Sequence, residues 1–147
     1  MKITFVVVGR LKEKFLVAGV DEYLKRLQKF ARVEVREVPE CRTLTEEGQR
    51  LLSQVPPDSW LCVLDVAGAS LTSEDFAKKI AALNLSGVSN LTFVIGGAFG
   101  LSAEIRRAAD FRLSLSQMTL THQMARLVLA EQIYRAFKIN RNEPYHW

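Results

Sequence analysis

Side chains and loops that could bind a ligand or move a proton are concentrated in the last third of the 147-residue chain. A glycine-rich stretch, Gly96-Gly97-x-x-Gly100, directly follows an apolar run. Because glycine has no Cβ atom, such a loop lets a ligand approach backbone amides closely, although a plain turn would explain it equally well. The stretch has neither the spacing of a dinucleotide site nor the Lys-Ser/Thr of a phosphate loop. The chain also contains no Gly-x-Ser-x-Gly nucleophile motif.

The two histidines of the sequence, His122 and His146, both lie near its C-terminal end. We expect His122 in the first turn of the last helix, where the helix dipole lowers the pKa of an imidazole and favours its neutral form. A neutral imidazole there suits a base or a hydrogen-bond donor, whereas a polar residue that merely fills the turn is the alternative. Arg126 follows one turn later on the same helical face, so the pair could receive an anion.

Arg135 and the chain end form a second group of candidates. Arg135 interrupts an apolar helical segment, and a buried or interface arginine needs a carboxylate or phosphate partner, for which Glu131 is the simplest choice. The terminal Tyr145-His146-Trp147 combines a stacking surface with a titratable ring. Aromatic platforms beside basic side chains hold single-stranded RNA bases, but a tail that packs on the protein's own core would have the same composition.

Alternating strand and helix patterns predict the scaffold that positions these residues. Strands are predicted at residues 2–8, 33–36, 60–66, 91–95 and 111–115, with helices between them. Helix starts are predicted at Thr43 in a capping box with Glu46, at Thr72 or Ser73, at Ser102 and at Thr121. This order predicts an α/β fold with an open, mostly parallel sheet in three layers. Ligands in such sheets bind beyond the carboxyl ends of strands, which selects the loops at 65–70, 96–102 and 116–121.

Composition predicts one soluble, cytoplasmic domain over residues 1–147. Hydrophobic residues make up 48% of the chain, enough for a core, yet no apolar run is long enough to span a bilayer or resembles a signal peptide. Two distant cysteines, Cys41 and Cys62, argue against a disulfide framework and a structural metal. The formal charge is +4, with basic excess at the two ends of the chain. That distribution favours contact with a polyanion, although an ordinary charged surface explains it as well.

Residues 124–137 are apolar almost all the way round the predicted last helix. Such a helix is either buried within its domain or half covered by a partner subunit, and for a chain of this size we favour the partner.

Several motifs taken together resemble one known family. They are Val8-Gly9, Tyr23-x-x-Arg26, Phe93-Val94-Ile95-Gly96-Gly97-x-x-Gly100-Leu101, Leu115-Ser116-x-Met118-Thr119-Leu120-x-His122-Gln123-Met124-x-Arg126, Glu131-Gln132-x-Tyr134-Arg135-Ala136-Phe137-Lys138-Ile139 and Pro144-Tyr145-His146. In this combination the sequence resembles the ribosomal RNA large subunit methyltransferase H family, part of the SPOUT superfamily of knotted methyltransferases. The resemblance covers essentially the whole chain.

The resemblance implies a C-terminal trefoil knot and a homodimer in which the last helix packs against its mate. It also implies S-adenosylmethionine as methyl donor, with no metal. The cofactor contacts implied by the family pattern fall on Leu64, Gly96, Gly97, Gly100, Leu115, Ser116, Gln117, Met118, Thr119 and Leu120.

The substrate implied by the resemblance is a pseudouridine of the large-subunit (23S) rRNA in the assembled ribosome, methylated at N3. This nitrogen must lose its proton as the methyl group arrives, so placement and a proton acceptor are both needed. We expect His122 or His146 to accept or relay the proton. Arg126 or Arg135 is expected to stabilise the developing oxyanion or to bind a phosphate. Tyr145 is expected to hold the substrate base. We expect His146 to reach the cofactor pocket of the partner subunit. Neither a membrane nor DNA is an expected partner.

Two departures from the family pattern stand out. Residue 121 is Thr where the family pattern leads us to expect Pro, and the chain is short around residues 39–48, a trimmed loop that we expect to lie far from the cofactor. A module of the same fold that binds RNA or the ribosome without turnover is the competing hypothesis. Cofactor binding distinguishes the two.

Overall fold

The computed structural model describes residues 1–147, which form five strands and five helices. The strands are β1 (Lys2–Val8), β2 (Arg32–Val38), β3 (Trp60–Ser70), β4 (Asn90–Ile95) and β5 (Phe111–Ser114). The helices are α1 (Lys14–Leu27), α2 (Leu44–Ser53), α3 (Ser73–Leu85), α4 (Ala103–Ala108) and α5 (His122–Asn140). Every predicted element is therefore present, with shifts of a few residues at some ends.

The five strands form one sheet in the order β2-β1-β4-β3-β5, and all neighbouring strands are parallel. Side chains alternate between the two faces of a strand, so Phe5 and Val7 of β1 enter one core and Val6 and Val8 the other. The larger core lies under α1, α3 and α5, and the smaller one under α2 and α4. The predicted three-layer α/β fold is confirmed.

The helix starts follow from local sequence. Thr43, Thr72, Ser102 and Thr121 are the N-cap residues of α2, α3, α4 and α5, and each side-chain oxygen accepts a hydrogen bond from a backbone amide three residues on. These bonds satisfy amides that have no partner within the helix. The capping box at Thr43 is only half formed, because the Glu46 carboxylate pairs with Arg50 instead of the Thr43 amide.

Strand β3 extends beyond its predicted end. Pairing with β5 is interrupted between Leu64 and Ala69 and then resumes, so the intervening residues form an irregular bulge. The bulge is held locally, since the Asp65 carboxylate accepts a hydrogen bond from the Ala67 amide at 3.0 Å. Gly68 lies so close to β5 that a Cβ atom there would be 2.6 Å from the Arg112 carbonyl oxygen. The loop that we predicted after residue 66 is therefore a bulged continuation of the strand.

Helix α5 lies on the sheet between α1 and α3. Its buried residues include Ala125, Leu129, Ile133 and Ala136, which join the larger core. Burial within one chain therefore accounts for much of the apolar character that we had attributed to a partner subunit. No helix of the chain is both long enough and apolar enough to cross a membrane.

Candidate functional site

A cavity of about 820 Å³ lies at the carboxyl ends of β3, β4 and β5 and is closed on one side by the start of α5. Its walls come from the three loops at the carboxyl ends of the strands, where we predicted ligand binding. The predicted cofactor residues that line it are Leu64, Gly96, Gly97, Gly100, Leu115, Ser116, Met118, Thr119 and Leu120, whereas Gln117 does not. The chain thus brings together three stretches that are far apart in the sequence.

The glycine loop, residues 96–100, needs its small residues for steric reasons. A Cβ atom on Gly96 would lie 2.5 Å from the Gly100 carbonyl oxygen, closer than real contacts allow. Gly100 has a φ of +90°, a region that favours glycine, and its amide donates to the Gly97 carbonyl at 3.1 Å. The Gly97 amide in turn donates to the Glu47 carboxylate of α2 at 3.2 Å. The loop is therefore a fixed turn whose backbone forms one wall of the cavity.

The opposite wall, the 115–120 loop, is held by two serine hydroxyls. Ser114 donates to the Ser116 carbonyl at 3.1 Å, and the Ser116 hydroxyl accepts from the Met118 amide at 3.0 Å. Ser116, predicted as a cofactor contact, thus also shapes the loop on which it lies.

Asp65 is a buried carboxylate in the cavity wall that the sequence analysis did not select as a site residue. It accepts contacts from the Nε of Arg106 at 3.2 Å and from Arg112 at 3.5 Å. Two guanidinium groups compensate one buried charge, which ties β3 to α4 and β5 beside the cavity. In the sequence, Asp65 stood out only as an acidic residue at the end of an apolar strand, at the start of the selected loop 65–70, and as a remote candidate for a triad with Ser116 and His122.

His122 lies in the first turn of α5, as predicted, and lines the cavity. Burial lowers the pKa of His122, and the charge of Arg126 lowers it further, while Glu40 and Glu47 act in the opposite direction. The direction that we predicted is confirmed, but burial, and not the helix dipole, is the main cause. The Nδ1 atom is buried and has no hydrogen-bond partner within the protein. A neutral imidazole therefore stands in the cavity wall, with its Nδ1 shielded from solvent.

Arg126 points away from this cavity. Its Nη2 donates to the carbonyl oxygens of Val8 and Gly9, and its Nη1 lies 3.6 Å from the Glu37 carboxylate. The two carbonyl groups lie at the end of β1, and Glu37 lies in the neighbouring strand β2. The expected anion site between His122 and Arg126 is not formed, because the guanidinium is committed to the backbone of β1.

The other predicted catalytic residues meet at the far end of α5, in what we call the C-terminal cluster: Glu74, Glu131, Arg135, Tyr145 and His146. Arg135 pairs with Glu131, which also accepts from the Tyr145 hydroxyl at 2.9 Å. Arg135 Nη1 lies 2.9 Å from His146 Nδ1, and His146 Nε2 lies 2.7 Å from the Glu74 carboxylate. The tail thus packs on the protein's own helices, one of the two arrangements left open by the sequence.

The contacts assign hydrogen-bond donors and acceptors in this cluster. A guanidinium can only donate, so His146 Nδ1 accepts and Nε2 carries the hydrogen that is donated to Glu74. Burial, together with hydrogen bonds to Tyr23 and Glu131, raises the pKa of Tyr145 above its usual value. Tyr145 is therefore a hydrogen-bond donor at neutral pH and not a base.

The two groups of candidates do not meet within one chain. His122 and Arg135 belong to the same helix, and at about 1.5 Å per residue they are roughly 20 Å apart along its axis. The cavity and the C-terminal cluster are therefore separate centres in a single copy.

The segment at residues 39–48 is closer to the cavity than we expected. Glu47 lies within it and bonds to the glycine loop in the cavity wall, so the segment is not remote from the cavity, contrary to our expectation of a loop far from the cofactor. The contact joins residues 50 positions apart, and no local pattern marks it.

Comparison with known proteins identifies the family. The family model described as "Predicted SPOUT methyltransferase" matches residues 1–146. The chain is 49% identical to the ribosomal RNA large subunit methyltransferase H of Carboxydothermus hydrogenoformans and 49% identical to that of Halothermothrix orenii, covering 99% of each chain in both cases. The enzyme of that name from Enterococcus faecalis is 45% identical over the same share.

The chain belongs to this family of SPOUT methyltransferases.

The fold of this chain is also similar to that of a solved structure. The probable methylase family protein from Haemophilus influenzae superposes with a TM-score of 0.57 at 12% identity, covering 99% of this chain and 70% of that one. Family membership also implies the C-terminal trefoil knot. The 115–120 loop and the start of α5, which enclose the cavity, belong to this C-terminal part of the fold.

Proposed function

We propose that the protein is an S-adenosylmethionine-dependent methyltransferase that methylates N3 of a pseudouridine in the large-subunit (23S) rRNA of the assembled ribosome, in the cytoplasm. The observation that carries this proposal is the cavity formed by the glycine loop, the 115–120 loop and His122 in a chain that matches the family over its full length.

The cavity suits the proposed cofactor in size and chemistry. Its volume of about 820 Å³ lies within the roughly 300–1,000 Å³ typical of small-molecule sites. Leu64, Leu115 and Leu120 offer an apolar surface for a nucleobase, while the glycine loop offers backbone groups without side chains in front of them. His122 contributes a polar side chain to this lining, and its Nδ1 is buried without a hydrogen-bond partner within the protein. These features support a site completed by a ligand.

When bound, S-adenosylmethionine supplies an electrophilic methyl group: the N3 electron pair forms the new N–C bond, the C–S bond breaks, and a neutral thioether leaves. The N3 proton must go to an acceptor. His122 is suited to take it, because the residue lines the cavity and burial lowers the pKa of its imidazole, which favours the neutral form at pH 7. A positioned base of this kind contributes roughly 10²- to 10⁴-fold to a rate.

A homodimer would bring the C-terminal cluster of one copy to the cavity of another. Three large apolar residues at the cavity mouth are exposed in the single chain: Phe15 by 63%, Val66 by 61% and Met118 by 79%. Clustered exposed apolar side chains are typical of an interaction surface. We infer that a second copy covers them and presents Arg135, Tyr145 and His146 to the substrate, with Arg135 neutralising a phosphate or oxyanion.

The decisive experiment for the activity is mass spectrometry of rRNA from cells that lack this protein. Loss of the methyl group from one pseudouridine, restored by the wild-type gene, is the expected result. Retention of every methylpseudouridine would overturn the assignment. Calorimetry with S-adenosylmethionine separates an enzyme from a fold that only binds RNA, because the binding module would give no heat.

Mixing two inactive variants tests the shared site. One carries a blocked cavity, Gly96→Val, and the other ends at Pro144 and so lacks Tyr145 and His146. If each site combines a cavity from one chain with a tail from its partner, random exchange restores about a quarter of wild-type activity, since half the sites are in mixed dimers and half of those are intact. Sites built within single chains would give no recovery.

A further inference from the structure

Helix α2 carries a carboxylate that the proposed reaction does not use. Glu47 is only 6% exposed, whereas its neighbour Glu46 lies on the solvent side of the helix and pairs with Arg50. Burying a charged group is unfavourable unless hydrogen bonds or ion pairs compensate it. An apolar residue at this position would avoid that cost, so the carboxylate calls for a specific reason.

Glu47 has no ion-pair partner. It belongs to none of the salt bridges of the chain, and its Oε1 accepts one hydrogen bond, from the Gly97 amide at 3.2 Å. That amide belongs to the glycine loop and has no partner in any strand or helix. The contact is therefore the side-chain anchor of a loop that forms one wall of the cavity.

The packing around this anchor leaves little freedom. A Cβ atom on Gly97 would lie 3.1 Å and 3.3 Å from the two carboxylate oxygens, so only glycine leaves the carboxylate undisturbed. The next residue, Gly48, packs against Ser102, the N-cap residue of α4 directly after the glycine loop. The dipeptide Glu47-Gly48 thus fixes the loop near both of its ends. In addition, the charge of Glu47 acts to raise the pKa of His122.

We propose that Glu47 is a positioning residue of the cofactor site, whose carboxylate holds the Gly97 amide and keeps the glycine loop in the conformation that binds S-adenosylmethionine. This inference rests on the function proposed above. The required property is the length of the side chain, which places an acceptor oxygen at the amide, and not its charge, because the group acts through a hydrogen bond to a backbone amide.

Two conservative variants separate the effect of side-chain length from the effect of charge. Glu47→Gln keeps an oxygen acceptor at the same distance but has no charge, whereas Glu47→Asp keeps the charge but is shorter by one methylene group. Glu46→Ala is the matched control, since it removes a carboxylate from the exposed side of the same turn. All three are compared as full-length protein, with thermal unfolding confirming that each is folded.

Hydrogen exchange of the free protein gives the first readout. We expect faster exchange of amides at residues 96–100 in Glu47→Asp, and wild-type exchange there in Glu47→Gln and Glu46→Ala. Calorimetry with S-adenosylmethionine gives the second, with affinity about 10- to 100-fold weaker in Glu47→Asp and within about threefold of wild type in Glu47→Gln.

The opposite order, with Glu47→Asp normal and Glu47→Gln defective, would show that charge is what matters and would overturn the proposal. So would unchanged exchange and affinity in both variants. If wild type itself gave no heat with S-adenosylmethionine, the proposed function would fail, while the exchange data would still report whether Glu47 holds the loop.

Discussion

Replacement of Gly48 by alanine tests how closely α2 must approach the segment that follows the glycine loop. A Cβ atom at this position would lie 2.2 Å from Ser102 Oγ and 2.9 Å from Ser102 Cβ. Ordinary contacts begin near 3.4 Å, so the two segments must separate by about 1 Å, or the serine must rotate and lose its cap on the Ile105 amide. Neither response is free, because Ser102 is buried.

The expected change in the free energy of unfolding is a balance of opposing contributions. Overpacking of this kind destabilises by about 1–3 kcal/mol, and loss of an N-cap by about 1 kcal/mol. Alanine is favoured over glycine in a helix by about 1 kcal/mol, which offsets part of this. We therefore expect Gly48→Ala to lower the free energy of unfolding by about 1–3 kcal/mol, measured as a shift of the urea midpoint at constant m-value.

A double-mutant cycle with Ser102→Ala gives the control. Without the hydroxyl, only the contact at 2.9 Å remains, so Gly48→Ala should cost about 1 kcal/mol less in that background. A Gly48→Ala protein as stable as wild type, or more stable, would mean that helix propensity dominates. The reasoning about close packing at this point would then be refuted.

Three further predictions concern the cavity and its supports. Gly96→Ala should weaken S-adenosylmethionine binding by about tenfold or more in calorimetry, because its Cβ would press on the Gly100 carbonyl oxygen; unchanged affinity would contradict this. Arg126→Lys should lower the free energy of unfolding by about 1–3 kcal/mol, since one ammonium cannot reproduce the guanidinium contacts; a wild-type urea midpoint would argue against it. NMR titration should place the pKa of His122 below the usual histidine value of about 6.5, because the side chain is partly buried. The unfolded chain then takes up the proton first, so stability falls as the pH drops below 6.5, and His122→Gln should flatten that slope.

The features that the sequence predicted correctly are those encoded within a few residues. Thr72 and Thr121 were recognisable as N-caps because each bonds to an amide three positions away. The parallel sheet and the loops at its carboxyl edge followed from the alternation of strands and helices. His122 could be placed in its turn for the same reason.

Contacts between distant residues had no such signal. His146 meets Glu74 across 72 positions, and Arg126 reaches the Gly9 carbonyl across 117. The local sequence around an arginine on a helix does not show whether the side chain binds an anion or bonds to the carbonyl groups at the end of a strand. The role expected for Arg126 could therefore be tested only against the fold. The role of Glu47 could not be predicted for a related reason, since a glutamate in the first turn of a helix is usually exposed.

The positions of the arginines along α5 bear on how a chain with a formal charge of only +4 could bind RNA. Within one chain, Arg126 is committed to β1 and Arg135 lies with Glu131 at the far end of α5, so neither adds free positive charge beside the cavity of its own chain. A homodimer would double the basic ends of the chain and bring the C-terminal cluster toward the cavity of the other copy. Even then the field is modest, and phosphate contacts dominate the affinity of most RNA-binding proteins. We therefore expect weak binding to naked RNA, with the shape of the assembled ribosome supplying the remaining affinity.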